Sequence, residues 1–202
     1  VTETGAEVLA VTGLGRAAPH DVSNALHAAA AAHAAGAPLG AIASVLGTFS
    51  GLPHRLERVE EAGGVLFYDD SKATNPHATL HALEAFRSVV LIAGGRNKGL
   101  DLGVLAAQCP RLRAVVAIGE AAAEVESSLS AGTRVVHAAS MREAVGAAAA
   151  LAVPGDVVLL SPACASFDWY TSYAARGDDF AFEVRRLVGE GELAPGPEVR
   201  SS

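Results

Sequence analysis

A doubly wound, mostly parallel α/β sheet with an added hairpin strand is the fold the sequence predicts, and three observations predict it. Short runs rich in Val, Leu and Ile recur at Val89 to Ala93, Ala114 to Ile118, Arg134 to His137 and Val157 to Leu160. Continuous apolar runs of this length mark strands covered on both faces. Segments of helical composition separate them, and strand alternating with helix is the signature of parallel sheets. Ahead of these, Leu56 to Glu60 and Val65 to Tyr68 flank a turn at Ala62-Gly63-Gly64 and read as a hairpin.

The elements follow in order. Val8 to Val11 reads as a short strand, Gly13 to Pro19 as a loop, and Val22 to Ala35 as an Ala-rich helix closed by Gly36. A second helix covers about Leu39 to Phe49 and stops near Gly51 and Pro53. One strand and two helices make only part of a layered domain, so residues 1–51 read as a partial α/β segment, the tail of a domain whose body lies upstream. Residues 52–189 form the sheet domain, with helices at Pro76 to Phe86, Leu102 to Gln108, Glu120 to Ser130, Met141 to Ala152 and Asp178 to Val188. Residues 190–202, with Pro195 and Pro197, read as a flexible tail.

Composition excludes several classes. Half of the 202 residues are hydrophobic and 18% are charged, which suits a packed core and not a disordered chain. A formal charge of -7 argues against non-specific nucleic-acid binding, which needs clustered cations. The one adjacent basic pair, Arg185-Arg186, suits a solvated helix end. The longest apolar stretch, Ala144 to Val153, is too short to cross a bilayer, so a soluble, cytoplasmic protein without membrane partners is expected. Cys109 and Cys164 match no metal or redox spacing. No metal ligand set is expected within the chain.

In doubly wound sheets ligands bind beyond the carboxyl ends of the strands. That rule selects Asp69 to Asn75, Gly94 to Asp101, Gly119-Glu120 and Ser161 to Gly177. In the first, Pro76 fits the opening position of a helix and Asn75 or Thr74 its cap, which turns backbone amides toward the loop. Lys72 and the hydroxyls of Ser71 and Thr74 complete a place for a carboxylate or phosphate, and Asp70 suits sugar hydroxyls; a capped helix with a local Asp-Lys pair is the plainer alternative. In the second, Gly94-Gly95-Arg96-Asn97-Lys98-Gly99 combines close backbone approach with a point charge, or is a simple turn. Neither is a P-loop, since G-x-x-x-x-G-K-[ST] occurs nowhere in the chain.

The third segment, Leu160-Ser161-Pro162-Ala163-Cys164-Ala165-Ser166-Phe167-Asp168, leaves room for a ligand beside small residues, with Ser166 as a donor and Trp169, Tyr170 and Tyr173 as walls. Cys164 reads as packing, because no His accompanies it as a base. At the junction of the two parts lies Gly51-Leu52-Pro53-His54-Arg55-Leu56-Glu57, where Arg55 suits a polyphosphate and His54 reads as an ordinary polar residue that nothing nearby orients. Thirteen basic residues are Arg and only Lys72 and Lys98 are Lys, both in these loops. A compact, flexible ammonium differs from a planar guanidinium in how it meets an anion.

In order and spacing, GLPHRLE, DDSKATNPHAT, GGRNKG, LLSPACASFDWY and RGDDF resemble the Mur ligase superfamily, in particular the branch that adds D-glutamate, over His20 to Leu187. The resemblance implies a Rossmann-like domain that brings the amino acid, preceded by the end of the central ATPase domain. It implies an ATP-dependent amide ligase using Mg2+, with D-glutamate, ATP and UDP-N-acetylmuramoyl-L-alanine as substrates and an acyl phosphate on the path. It places Asn24, Arg55, Asp70 and Lys72 at the nucleotide, and Thr74, Lys98, Ser166, Phe167 and Tyr173 at D-glutamate. The P-loop, the metal ligands and the catalytic residues are expected upstream in the missing N-terminal and central domains, so the chain alone is expected to be inactive. A stand-alone amino-acid or nucleotide binding module, or another ligase of the superfamily such as a folylpolyglutamate type, is the alternative.

Overall fold

The computed structural model describes residues 7–15 and 19–191, and the chain divides into two units, Val1–Leu52 and Pro53–Ser202. In the first unit α1 spans Pro19–Ala34 and α2 spans Leu39–Thr48. Proline opens α1, where a missing N–H costs nothing, and Gly36 at φ 91° turns the chain out of it. Only Ala29 and Ile42 are buried hydrophobics among the unit's described residues, while Leu26, Val45 and Phe49 stay exposed. The expected strand at Val8 to Val11 is not there. With no partner strand among the described residues of this unit, the backbone closes local bonds, Gly13 N to Ala10 O and Leu14 N to Val11 O, and forms a 3-10 turn at Val11–Gly13. The described part of this segment is therefore helical and not α/β.

The second unit is the expected doubly wound sheet. Its hairpin joins β1 (Glu57–Ala62) to β2 (Val65–Asp69) through Gly63 and Gly64, both at positive φ, as a tight two-residue connection requires. After α3 (Pro76–Glu84) come β3 (Val89–Gly94), β4 (Leu112–Ile118), α4 (Ala122–Leu129), β5 (Arg134–Ala138), α5 (Met141–Leu151), β6 (Val157–Ala163) and α6 (Tyr173–Gly189). The strand order is β1-β2-β6-β3-β4-β5, with β1 alone antiparallel. The last strand in sequence thus fills the gap between β2 and β3.

Alternate residues of each strand feed two cores. Val90, Ile92, Val116, Val158 and Leu160 pack with α5 and α6, while Leu91, Val115, Leu159 and the aliphatic face of α3 and α4 fill the other side. β5 departs from the expectation of two covered faces: it is the sheet's edge, and its side chains are only partly buried. The expected helix from Leu102 is a run of 3-10 turns, Leu102–Arg111, opened by the Asp101 side chain accepting from Gly103 N and containing Pro110, which has no N–H to continue an α-helix. α6 begins five residues earlier than the composition suggests, because Ser172 caps it by accepting from Ala175 N at 3.0 Å. Among the described residues no helix is long and apolar enough to cross a membrane. Residues 192–202 of the expected flexible tail lie outside the described residues.

Candidate functional site

The loops that leave β2, β3 and β6 stand side by side at one end of the sheet, because those strands are neighbours and run parallel. The first loop enters α3 through Asn75, whose Oδ1 accepts from Ala78 N at 3.0 Å, with Pro76 behind it. Its two aspartates are buried where β2 ends. Asp69 Oδ1 accepts from Ser71 N at 2.8 Å and Oδ2 from His54 Nδ1 at 2.7 Å. Asp70 accepts from Ser161 Oγ at 2.8 Å and from Leu56 N at 3.3 Å. Each Asp70 oxygen keeps a lone pair for a further donor.

Burial raises the Asp69 carboxyl, against the opposing pull of its bonds to His54 and Ser71. Burial likewise pushes Asp70 up to about 6, helped by the charge of Asp69 and opposed by Ser161, Leu56 N and Arg55. A carboxyl raised in the folded state contributes stability that is complete below its unfolded value, about 4, and lost as pH climbs through its folded value. The stability of Asp70→Asn relative to the parent is therefore expected to improve between about pH 4.5 and about pH 7.5. Denaturant titrations at both values measure this, and a difference independent of pH would contradict it.

From its neighbours in the chain His54 reads as an ordinary polar residue, since nothing close to it in sequence orients its ring. The structure corrects this. Asp69, fifteen residues away, holds the ring by Nδ1; Tyr173 meets it edge-on at 6.0 Å between centroids; and Nε2 lies 4.0 Å from Asp178. The residue sits at φ 60°, a strained place for a side chain, with its carbonyl accepting from Lys72 N and its amide donating to Glu57. His54, Glu57 and Asp69 bring ligand atoms within 4.8 Å of one another, but they are engaged with each other in these bonds. This staple fixes the backbone on both sides of Arg55 and fixes Lys72. The Lys72 ammonium lies 3.9 Å above the Tyr173 ring, so residues expected at the nucleotide and at the amino acid are in direct contact.

The second loop begins at Gly94 and Gly95, both near φ 127°. It pairs with the third: Arg96 N donates to Ala165 O at 2.8 Å and Ala165 N to Arg96 O at 3.1 Å. Arg96 forks onto both oxygens of Glu120, and Asn97 bridges Leu100 O and Glu124. Lys98 sits exposed on this braced turn. The third loop passes through Ala163 at φ 59°, buries Cys164 and Ser166, and leaves Phe167 57% exposed. Burial pushes the Cys164 thiol up to about 11, so it stays protonated and is no nucleophile. Asp168 accepts from Glu120 N at 3.0 Å and ties the turn after β4 to the same group. Tyr170 packs on the α5–α6 core and donates to Asp179.

Of the residues expected to bind ligands, Arg55, Asp70, Lys72, Thr74, Lys98, Ser166, Phe167 and Tyr173 all fall on these connected segments or at the start of α6. Asn24 is exposed on α1 of the first unit. Arg176, marked in the sequence only as part of RGDDF, is the residue that spacing and composition do not reveal, a buried cation among the loops. The signal available was the neighbouring Gly177. A Cβ there would lie 2.3 Å from His54 Nδ1 and 2.4 Å from Asp69 Oδ2, so the helix carrying Arg176 has to pass closely over the His54–Asp69 pair.

Residues 54–164 match the family described as Mur ligase, glutamate ligase domain. The chain is 49% identical over 181 residues to a UDP-N-acetylmuramoylalanine–D-glutamate ligase of Desulfosudis oleivorans, covering 89% of this chain and 39% of that protein. It is 47% identical over 189 residues to the enzyme of that name from Frankia casuarinae, covering 92% and 40%. The chain thus spans about two fifths of the length of these relatives. Among solved structures, a UDP-N-acetylmuramate-alanine ligase of Thermotoga maritima aligns with TM-score 0.63 at 19% identity over 87% of this chain and 38% of that one. A pseudomurein peptide ligase type C of Methanothermus fervidus aligns with TM-score 0.64 at 17% identity, covering 84% and 36%. At such identities the structural likeness shows the fold alone.

Proposed function

The chain belongs to the Mur ligase family through its glutamate ligase domain, and from that premise we propose that it is the carboxyl-terminal part of an ATP-dependent ligase that adds D-glutamate to UDP-N-acetylmuramoyl-L-alanine in peptidoglycan synthesis. The observation that carries the proposal is the hydrogen-bonded union of the loops bearing Lys72, Lys98 and Ser166. It gathers both lysines of the chain on adjoining loops beyond the same strand ends. An amino acid with two carboxylates needs such a combination of ammonium groups, hydroxyls and backbone amides.

In this reading Thr74, Lys98, Ser166, Phe167 and Tyr173 hold D-glutamate, while Asn24, Arg55, Asp70 and Lys72 meet the nucleotide. The residues present fit a polyphosphate and its sugar: Arg55 and Lys72 are cations on segments the His54 staple fixes, and Asp70 has spare acceptor capacity. Mg2+, whose ligands this reading expects outside the chain, would supply neutralisation of the charge that develops on phosphoryl transfer. The contact between Lys72 and Tyr173 supports adjoining nucleotide and amino-acid sites, as attack of the glutamate amine on an acyl phosphate demands. Residues 1–51 are, on this reading, the tail of the central ATP-binding domain. With the P-loop and metal ligands outside it, the chain by itself binds and does not turn over, and the whole enzyme works in the cytoplasm.

Calorimetric titration tests this. The chain should bind D-glutamate in preference to L-glutamate, with a Kd on the order of 1 mM, about -4 kcal/mol, as expected of half a closed site. Equal binding of both enantiomers, or heat from neither, would remove the assignment of the acceptor amino acid.

A further inference from the structure

We infer that Arg176 is the positioning residue of the acceptor site, the buried cation that fastens two of the ligand loops and underlies the remaining one. It lies in the first turn of α6, 1% exposed, and is the largest fully buried side chain among the described residues. Its guanidinium reaches two loops at once: Nε donates to Ser71 Oγ and Nη2 to Ser71 O, both at 2.9 Å, while Nη1 and Nη2 donate to Cys164 O at 3.1 Å. Ser71 Oγ in turn donates to Tyr173 O at 2.7 Å, which brings in the start of α6. The second loop passes close over the same group, since a Cβ built on Gly95 would stand 3.1 Å from Nη1. Ser71 precedes Lys72, Gly95 precedes the turn with Lys98, and Cys164 lies two residues before Ser166.

All four acceptor contacts are to neutral oxygens. A buried guanidinium bonded only to neutral groups is a poor choice for stability alone, because burying a charge without a paired anion is costly. Burial lowers it to about 10, with Asp168 and Asp69 among the groups opposing that fall, so it remains a cation at neutral pH. Its charge therefore adds to the field that draws an amino acid with two carboxylates to the loops above it. The planar fork, in contrast to an ammonium, bonds both carbonyls in fixed directions and sets the spacing of the loops.

As far as it concerns glutamate, the inference rests on the ligase reading. Two-dimensional NMR of the chain carrying Arg176→Lys, which keeps the charge and loses the fork, separates the two. Amide signals of Ser71, Lys72, Gly95, Arg96 and Ala165 are expected to move together while those of β4 and β5 stay in place, and D-glutamate affinity is expected to fall about tenfold. Lys98→Ala should lose glutamate binding without moving the amides of Ser71 and Ala165. Changes confined to one loop, or parent affinity in Arg176→Lys, would overturn the inference. If the parent chain binds no D-glutamate, the ligase reading fails while the amide pattern still decides the role of Arg176. Should Arg176→Lys not fold, the parent's Nε proton gives the answer: exchange with solvent as slow as the β3 amides supports the anchor, and exchange at the rate of a surface arginine refutes it.

Discussion

Replacing Lys98 by alanine in the full-length protein is expected, on the proposed ligase reading, to lower kcat/KM for D-glutamate at least 100-fold, about 2.7 kcal/mol of transition-state stabilisation, with the melting temperature almost unchanged. The separation of the two effects follows from how the loop is braced. Asn97 accepts from Leu100 N and donates to Leu100 O, Arg96 forks onto Glu120, and the Arg96–Ala165 pair fixes the base of the turn. None of these bonds involves Lys98. Its exposed ammonium is left to meet a carboxylate, and arginine at the position is not expected to rescue, because a planar fork needs a different approach from a point charge. Steady-state kinetics with D-glutamate varied is the measurement, and near-normal kcat/KM would take Lys98 out of the site.

Gly95→Ala should lower stability by roughly 3 kcal/mol or more and, on the ligase reading, remove glutamate binding with it. Its φ of 126° is a backbone conformation only glycine adopts without strain, and a Cβ would stand 2.3 Å from Ala165 O, inside the pairing of two ligand loops. Neither the carbonyl nor the underlying Arg176 can withdraw without breaking the bonds that define the site. Gly99→Ala is the control. Its φ is also positive, at 76°, but a Cβ there meets nothing within 4 Å, so it should cost only about 1 kcal/mol. Chemical denaturation of both variants decides the matter; equal stability of the two would show that the Gly95–Ala165 approach is not a constraint.

The sheet was legible because its strands are self-announcing: Val89 to Ala93 and Val157 to Leu160 are apolar throughout, and Gly63-Gly64 marks a turn that two extended runs must share. The loops were legible through the rule that ligands collect beyond strand ends, and Asn75 with Pro76 spelled out a helix start. Long-range partners were not. Nothing in GLPHRLE states that His54 meets Asp69, and Arg176 lies 105 residues from the serine it grips. Val8 to Val11 has the composition of a strand, but composition cannot supply a partner to pair with. Leu102 to Arg111 has apolar spacing close to that of an α-helix, while Pro110 and the Asp101 cap select tighter turns.

The strand order also fixes when the site comes into being. β2 and β3 are made early, yet each leaves one row of amides and carbonyls waiting for β6, which is synthesised some sixty residues after β3 ends. Insertion of a strand into the middle of a sheet requires contacts of long sequence separation, which form slowly. Until that insertion the segments around Ser71 and Gly95 have no Cys164 or Ala165 to pair with, and α6, with its guanidinium, has not yet been made. A ribosome-bound intermediate halted before Val157 would thus carry both lysines on a half-open sheet without the bonded loop cluster, and any ligand that the proposed site takes would be recognised only after the final folding event.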